Sequence, residues 1–208
     1  MRREERQLDT PVARREHARV LVLASASPRR RQLLGWLGVP FEVDEAELEE
    51  RPEPREAATD MVRRLACAKG VAVAARRSEA WLLAADTTVE LDGAILGKPT
   101  DRDVAAQMLA RLAGREHRVA TGFALFAPDG VARTVEVVVT RVTFRPLDGR
   151  AIATYVATGE PEGKAGGYAI QGFGAGLIER IEGSFTNVIG LPLAEVARAL
   201  EEAGLLVG

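Results

Sequence analysis

Apolar and polar positions along this chain follow two different periods. Residues 20–24, Val-Leu-Val-Leu-Ala, form a short unbroken apolar run rich in β-branched side chains, which predicts a buried strand. Ser27 followed by Pro28 has the pattern of an N-cap with proline at the first helical position. The helix so opened carries Leu33, Leu34 and Leu37 on one face and stops near the glycines at 35 and 38. Residues 41–43 read as a second strand. Residues 45–56 are acidic, with two prolines, and read as a loop. From 57 to 75 the apolar spacing through Met61, Val62, Leu65, Ala68 and Val71 predicts a helix.

Residues 81–85, Trp-Leu-Leu-Ala-Ala, repeat the buried-strand pattern and end on Asp86-Thr87-Thr88. Asp92-Gly93 is a turn dipeptide, so residues 89–96 read as a hairpin. Thr100 is placed to cap a helix over 101–113, closed by Gly114. Residues 117–126 and 131–144 read as strands about the turn Pro128-Asp129-Gly130. A helix over 148–157, a glycine-rich stretch over 159–176, a short strand over 177–181 and a last helix over 193–203 complete the pattern. Alternating strands and helices followed by a long antiparallel pair predict an α/β protein with a mixed sheet, not a full doubly wound fold.

Composition narrows the class. With 208 residues, 47% of them hydrophobic, the chain can build one large domain or two small lobes about a cleft. Residues 1–19 are charged, lack an apolar signal core and read as an N-terminal extension to a single domain over 20–208. A net charge of -2 argues against duplex nucleic acid as partner, and no apolar run reaches membrane-spanning length. The lone cysteine, Cys67, can form neither an internal disulfide nor a cysteine metal site, which fits a cytoplasmic protein. His17 and His117 have no partner at metal-ligand spacing. Of the 28 basic residues only Lys69, Lys98 and Lys164 are lysine, so these mark positions where a compact ammonium is wanted.

Four constellations can carry chemistry. The first is Ser25-Ala26-Ser27-Pro28-Arg29-Arg30 between a strand and a helix. Free N–H groups at the helix start, the hydroxyls of Ser25 and Ser27 and the guanidinium groups of Arg29 and Arg30 all suit a phosphate, although an ordinary capped helix with solvated arginines explains the local sequence as well. The second is Asp86, a carboxylate closing a hydrophobic strand, suited to binding a divalent ion or to taking a proton from water; a turn-capping role is the alternative. The third is Gly97-Lys98-Pro99, where Lys98 can neutralise phosphate charge. The fourth is the run from Gly163 to Gly172, whose glycines allow close backbone approach and whose Gln171 can read a base edge, unless the glycines mark only a flexible loop.

In this order and register, the stretches LASASPRRRQLLGWLGVPFEV, RLACAKG, LLAADTTVELDGAILGKP, RVTFRPL and YVATGEPEGKAGGYAIQGFGAGLIERIEGSFTNVIGLPL resemble the Maf family of nucleotide pyrophosphatases, related to septum formation inhibitors. The resemblance spans residues 23–193. It implies a Maf/ITPase-like fold, an elongated mixed β-sheet flanked by helices with two lobes around a cleft. It also implies hydrolysis of a nucleoside triphosphate to monophosphate and pyrophosphate, assisted by a divalent metal, Mg2+ or Mn2+, and a homodimer. By motif match Asp86 is the general base or metal carboxylate, and Glu50 is the acidic position ahead of the long helix and a second metal ligand. Ser25, Arg29, Arg30, Lys69, Lys98 and Lys164 fall on phosphate and cleft positions. Arg29, Thr87 and Gln171 match the subgroup acting on dTTP and UTP, whereas the 7-methyl-GTP subgroup usually carries an aromatic residue where Arg29 stands. The chain departs from the family pattern at Gly163, usually aspartate, and at Ala169, usually glycine. The expected arrangement places Ser25, Arg29, Lys69 and Lys98 on the triphosphate and lets Thr87 and Gln171 help choose the base. A 7-methyl-GTP pyrophosphatase and a nucleotide-binding regulator of cell division are the rival readings.

Overall fold

A computed structural model describes residues 20–206. The extension at 1–19 and the last two residues lie outside the described residues. Among these, the strands β1 (Leu21–Leu23), β2 (Phe41–Val43), β3 (Trp81–Leu91), β4 (Ala94–Leu96), β5 (Glu116–Phe126), β6 (Ala132–Phe144) and β7 (Ile178–Glu182) form one sheet in the order β2-β1-β3-β5-β6-β7, with β4 on β3. β1 is parallel to β2 and β3; the remaining pairings are antiparallel. The helices are α1 (Pro28–Gly35), α2 (Ala58–Ala74), α3 (Arg102–Leu112), α4 (Gly149–Ala157), α5 (Phe185–Ile189) and α6 (Leu193–Glu202). No helix among the described residues is long and apolar enough to cross a membrane.

The expected mixed sheet is present, with two corrections to its detail. β3 does not end at Asp86. It runs eleven residues, because β5 continues to pair with it from Leu82↔Phe126 to Glu90↔Arg118 and supplies hydrogen bonds past the end of the apolar run. The α3 cap is Asp101 rather than Thr100: its side chain accepts from the Val104 N–H, while the Thr100 hydroxyl donates to Asp101 Oδ2. A five-residue helix, α5, also has no counterpart in the hydrophobic pattern.

Alternation along the strands separates the core into distinct clusters. Leu82, Ala84, Ala124 and Phe126 face α2 through Ala66 and Val73. On the opposite face, Leu83, Ala85, Phe123 and Leu125 pack with α1 and α6 through Leu33, Leu34, Val196 and Leu200. Further along, Val89, Leu91, Val119 and Phe144 pack with α3 and α4 through Leu109, Leu112, Ile152 and Val156. The two lobes therefore share β3, β5 and β6. At Gly122, opposite Asp86 in the ladder, a Cβ would stand 2.5 Å from the Val62 carbonyl oxygen. Glycine there lets α2 lie against the strand, which brings its later turns over Asp86.

Candidate active site

β1 covers β3 only as far as Leu83, and β4 begins to cover it at Val89. Between those points β3 has a neighbouring strand on the β5 side alone. A cleft of about 720 Å³ opens around this bare stretch. All eleven side chains singled out in the sequence line it: Ser25, Ser27, Arg29, Arg30, Glu50, Lys69, Asp86, Thr87, Lys98, Lys164 and Gln171.

Asp86 and Thr87 are neighbours in the chain and therefore point to opposite faces of the sheet. On the α2 face, Lys69 Nζ donates to Asp86 Oδ1 at 2.6 Å and to Glu50 Oε1 at 2.5 Å, and Lys98 Nζ donates to Glu50 Oε2 at 2.5 Å. Lys69 and Asp86 are buried, with side chains 5% and 6% exposed, so their charges are obliged to pair. Burial would raise the Glu50 carboxyl pKa, but the two ammonium groups outweigh it and hold the value down at about 2. The loop that carries Glu50 is itself anchored to α2, where Arg64 donates to Glu56 through Nε and Nη2 and to the Arg51 carbonyl.

On the other face, Arg30 and Arg29 take different roles that the sequence did not separate. Arg30 lies on the inward side of α1 with Leu33 and Leu34 and is buried. It donates to the Gly190 carbonyl at 2.8 Å, to Ser25 Oγ at 3.1 Å and to Thr87 Oγ1 at 3.0 Å. Thr87 Oγ1 also bonds Thr121 Oγ1 at 2.9 Å, and Thr121 donates to the Asn187 carbonyl. This network joins α1, β3, β5 and α5 across the cleft floor. Thr87, expected to help choose the base, is thus engaged as a junction. Ser27 caps α1, its hydroxyl accepting from the Arg30 N–H, and Ser25 Oγ accepts from the Ser27 N–H.

Arg29 points into the cleft with no hydrogen bond to any described residue, and burial lowers its pKa. Lys164 reaches only the Glu162 carbonyl, at 3.4 Å; burial and then the Arg29 charge lower its pKa. Gln171 is half-buried and likewise without a hydrogen-bond partner among the described residues. Ala169, where the family usually has glycine, has no positive φ, so the exchange is sterically mild.

The carboxylates suit a hard divalent cation in one way only. Three of the four oxygens of Glu50 and Asp86 already face an ammonium group, leaving Asp86 Oδ2 without a hydrogen-bond partner among the described residues. No group of three histidine, cysteine, aspartate or glutamate side chains gathers to hold a metal among them. This donor set does not make an all-protein cage. It fits a cation that takes one or two carboxylate oxygens and completes its shell with water and phosphate.

Sequence reasoning missed the second ring of side chains about the cleft. Tyr155, Glu160, Tyr168 and Asn187 hold its walls, but their partners lie 13 to 68 positions away, beyond the reach of local pattern. Their one signal was membership in the family stretch from Tyr155 to Leu193.

An α/β sheet thus carries a cleft that combines ion-paired carboxylates with two cations, Arg29 and Lys164, that form no ion pair among the described residues. Residues 20–203 match the family described as Maf-like protein, and the chain belongs to that family. It is 52% identical over 186 residues to the dTTP/UTP pyrophosphatase of Myxococcus xanthus, covering 89% of this chain and 93% of that protein. The dTTP/UTP pyrophosphatases of Geobacter metallireducens and Geobacter sulfurreducens are 50% and 49% identical, with 92% and 89% of this chain and 99% and 97% of those proteins covered. Among solved structures, the dITP/XTP pyrophosphatase of Mycobacterium abscessus resembles it at a TM-score of 0.44 and 18% identity, covering 89% of this chain and 95% of that one; a likeness at that level carries no weight.

Proposed function

We propose that this protein is a nucleoside triphosphate pyrophosphatase that hydrolyses dTTP and UTP to the monophosphate and pyrophosphate. The observation that carries the reading is the juxtaposition of Asp86, ion-paired to Lys69 at the bare stretch of β3, with Arg29 and Lys164, which form no ion pair among the described residues. Relatives of about half-identical sequence named for this activity point the same way.

The residues act as follows. Arg29, Lys164 and the start of α1 bind the phosphate oxygens, with the hydroxyls of Ser25 and Ser27 beside them. Asp86 Oδ2 orients a water molecule and takes its proton. The water oxygen forms a bond to the α-phosphorus, the bond from that phosphorus to the bridging oxygen of the β-phosphate breaks in line, and pyrophosphate leaves. Lys69 holds Asp86 in place through its hydrogen bond to Oδ1. Glu50 fixes Lys69 and Lys98, and Lys98 supplies charge to the phosphates. A divalent cation, Mg2+ or Mn2+, would be held by Asp86 and Glu50 and would neutralise phosphate charge. Gln171, with one donor and one acceptor, meets the pyrimidine edge. A homodimer and a cytoplasmic location belong to the same reading, the latter supported by the free Cys67 thiol; light scattering on the purified protein tests the former.

The decisive experiment is a panel of canonical triphosphates and 7-methyl-GTP with Mg2+ or Mn2+, read by released pyrophosphate. Turnover fastest on dTTP and UTP is expected. Preference for 7-methyl-GTP would replace the substrate, and no turnover on any member would return the protein to a binding role.

A further inference from the structure

The glycine-rich stretch from Gly163 to Gly174 carries Lys164 and Gln171 into the cleft, and it is not a loose loop. Two 3-10 turns, Ala165–Gly167 and Gly172–Leu177, lie within or at the end of it. The Gly166 N–H donates to the Gly97 carbonyl at 3.0 Å, next to Lys98. Gly166 has φ +70°, and a Cβ there would stand 3.0 Å from the Val89 side chain, so the segment sits directly on β3. Further on, the Ala169 N–H donates to Tyr155 Oη at 3.0 Å, and Glu160 accepts from the Phe173 and Gly174 N–H groups at 2.8 and 3.0 Å.

Between Lys164 and Gln171, Tyr168 is the side chain that reaches the sheet through a polar contact among the described residues. Its hydroxyl lies 2.7 Å from His117 Nε2 on β5. The two side chains are buried, at 5% and 2% exposure. With Phe144 of β6 they form a closed edge-to-face trio, with ring centroids 4.8 to 5.3 Å apart. Three apolar rings would fill this space without the cost of burying a phenol and an imidazole. What the polar pair adds is direction. Each group needs the other, and the bond is made at one placement of the segment along β5. Burial pushes the His117 pKa down to about 4, which keeps the ring neutral, and burial pushes the Tyr168 hydroxyl up, which keeps it protonated.

We infer that His117 is a positioning residue: hydrogen-bonded to the Tyr168 hydroxyl, it sets the placement of the glycine segment on the sheet and through it the places of Lys164 and Gln171 in the cleft. The inference rests on the reading of the cleft as a triphosphate site. It gives a task to a histidine that metal-ligand spacing left without one.

The test uses the full-length protein with Tyr168→Phe and His117→Phe, which keep the ring packing and remove the bond. The KM for dTTP is expected to rise about tenfold in each, with kcat changed less than about threefold. Hydrogen–deuterium exchange over residues 164–172 should quicken while β5 and β6 exchange as before. His117→Gln, whose carboxamide can meet the Tyr168 hydroxyl, should bring KM back to within about threefold of the parent. In a Lys164→Ala, Gln171→Ala background, Tyr168→Phe should add no further rise in KM. Unchanged KM and exchange in Tyr168→Phe would overturn the inference, as would an equal rise in KM in the doubly substituted background. Should His117→Phe not fold, Tyr168→Phe alone decides. If the parent turns over no triphosphate, the functional reading fails, while the exchange measurement still decides whether the bond holds the segment.

Discussion

The two walls of the cleft hold positive charge under opposite conditions. On the α2 wall, Lys69 and Lys98 are neutralised by Asp86 and Glu50 within 2.6 Å. On the wall made by α1 and the glycine segment, Arg29 and Lys164 are partly desolvated and repel one another; Glu160 and Glu162 offset this at Lys164 from a distance, and neither cation forms an ion pair among the described residues. Paired charges of the first kind fix geometry, because moving either partner leaves the other stranded in a medium of low polarity. Unpaired cations of the second kind raise the energy of the empty cleft and are relieved when a polyanion arrives. Rate should therefore depend on the first wall and affinity on the second.

The largest expected effect is on rate. Asp86→Asn should lower kcat roughly a thousandfold with KM changed little, since Lys69 keeps Glu50 as partner and the fold is retained. Unchanged turnover would remove Asp86 from the mechanism. Next comes stability. Lys69→Met strands the buried Asp86, while Glu50 keeps Lys98, and should cost about 3–5 kcal/mol, a fall in Tm of roughly 10 °C by calorimetry, whereas Lys164→Met should leave Tm within about 2 °C. Equal losses from the two substitutions would erase the distinction between the walls. Affinity follows. Arg29→Ala or Lys164→Ala should raise KM for dTTP about 10- to 100-fold and flatten its dependence on salt, with kcat less affected.

The smallest effect is on pH. His117 has a folded pKa of about 4 against an ordinary 6.5, so the neutral ring's contribution is complete above pH 6.5 and is lost as pH falls through 4. Glu50, held at about 2 against an ordinary 4.5, contributes fully above pH 4.5 and loses its share only below that. The titratable group in contact with His117 is Tyr168, which stays protonated throughout. Denaturant melts between pH 6.5 and 4.5 should thus show a decline in the parent that is reduced in His117→Phe. An identical decline would assign that window to other groups.

How much of this was legible in the sequence varies with the distance over which each feature is decided. Strands β1 and β2 and helices α2 and α6 are set by local period, and the hydrophobic pattern located them. The length of β3 is set by β5, which begins some 30 residues later, so the polar Asp86-Thr87-Thr88 read as an end when it is a middle. The cleft residues were found as a set, through scarce lysines and motif order, but their partition was not. Nothing local tells Arg29 from Arg30; only the packing of α1 beside α5 turns one toward Gly190 and leaves the other facing the cleft. His117 was invisible as a functional residue because its partner lies 51 positions away, in a stretch whose glycines looked permissive.

The three long strands have a mechanical consequence. β3, β5 and β6 pass unbroken through both lobes, while β1 stops on one side of the bare stretch and β4 starts on the other. The sheet is narrowest across that stretch. That narrow stretch, with three strands in place of five, is also the floor on which a ligand would rest. Both walls of the cleft are thereby tied to the same three strands, and a ligand gripping both would bear on the sheet directly through Asp86 and Thr87.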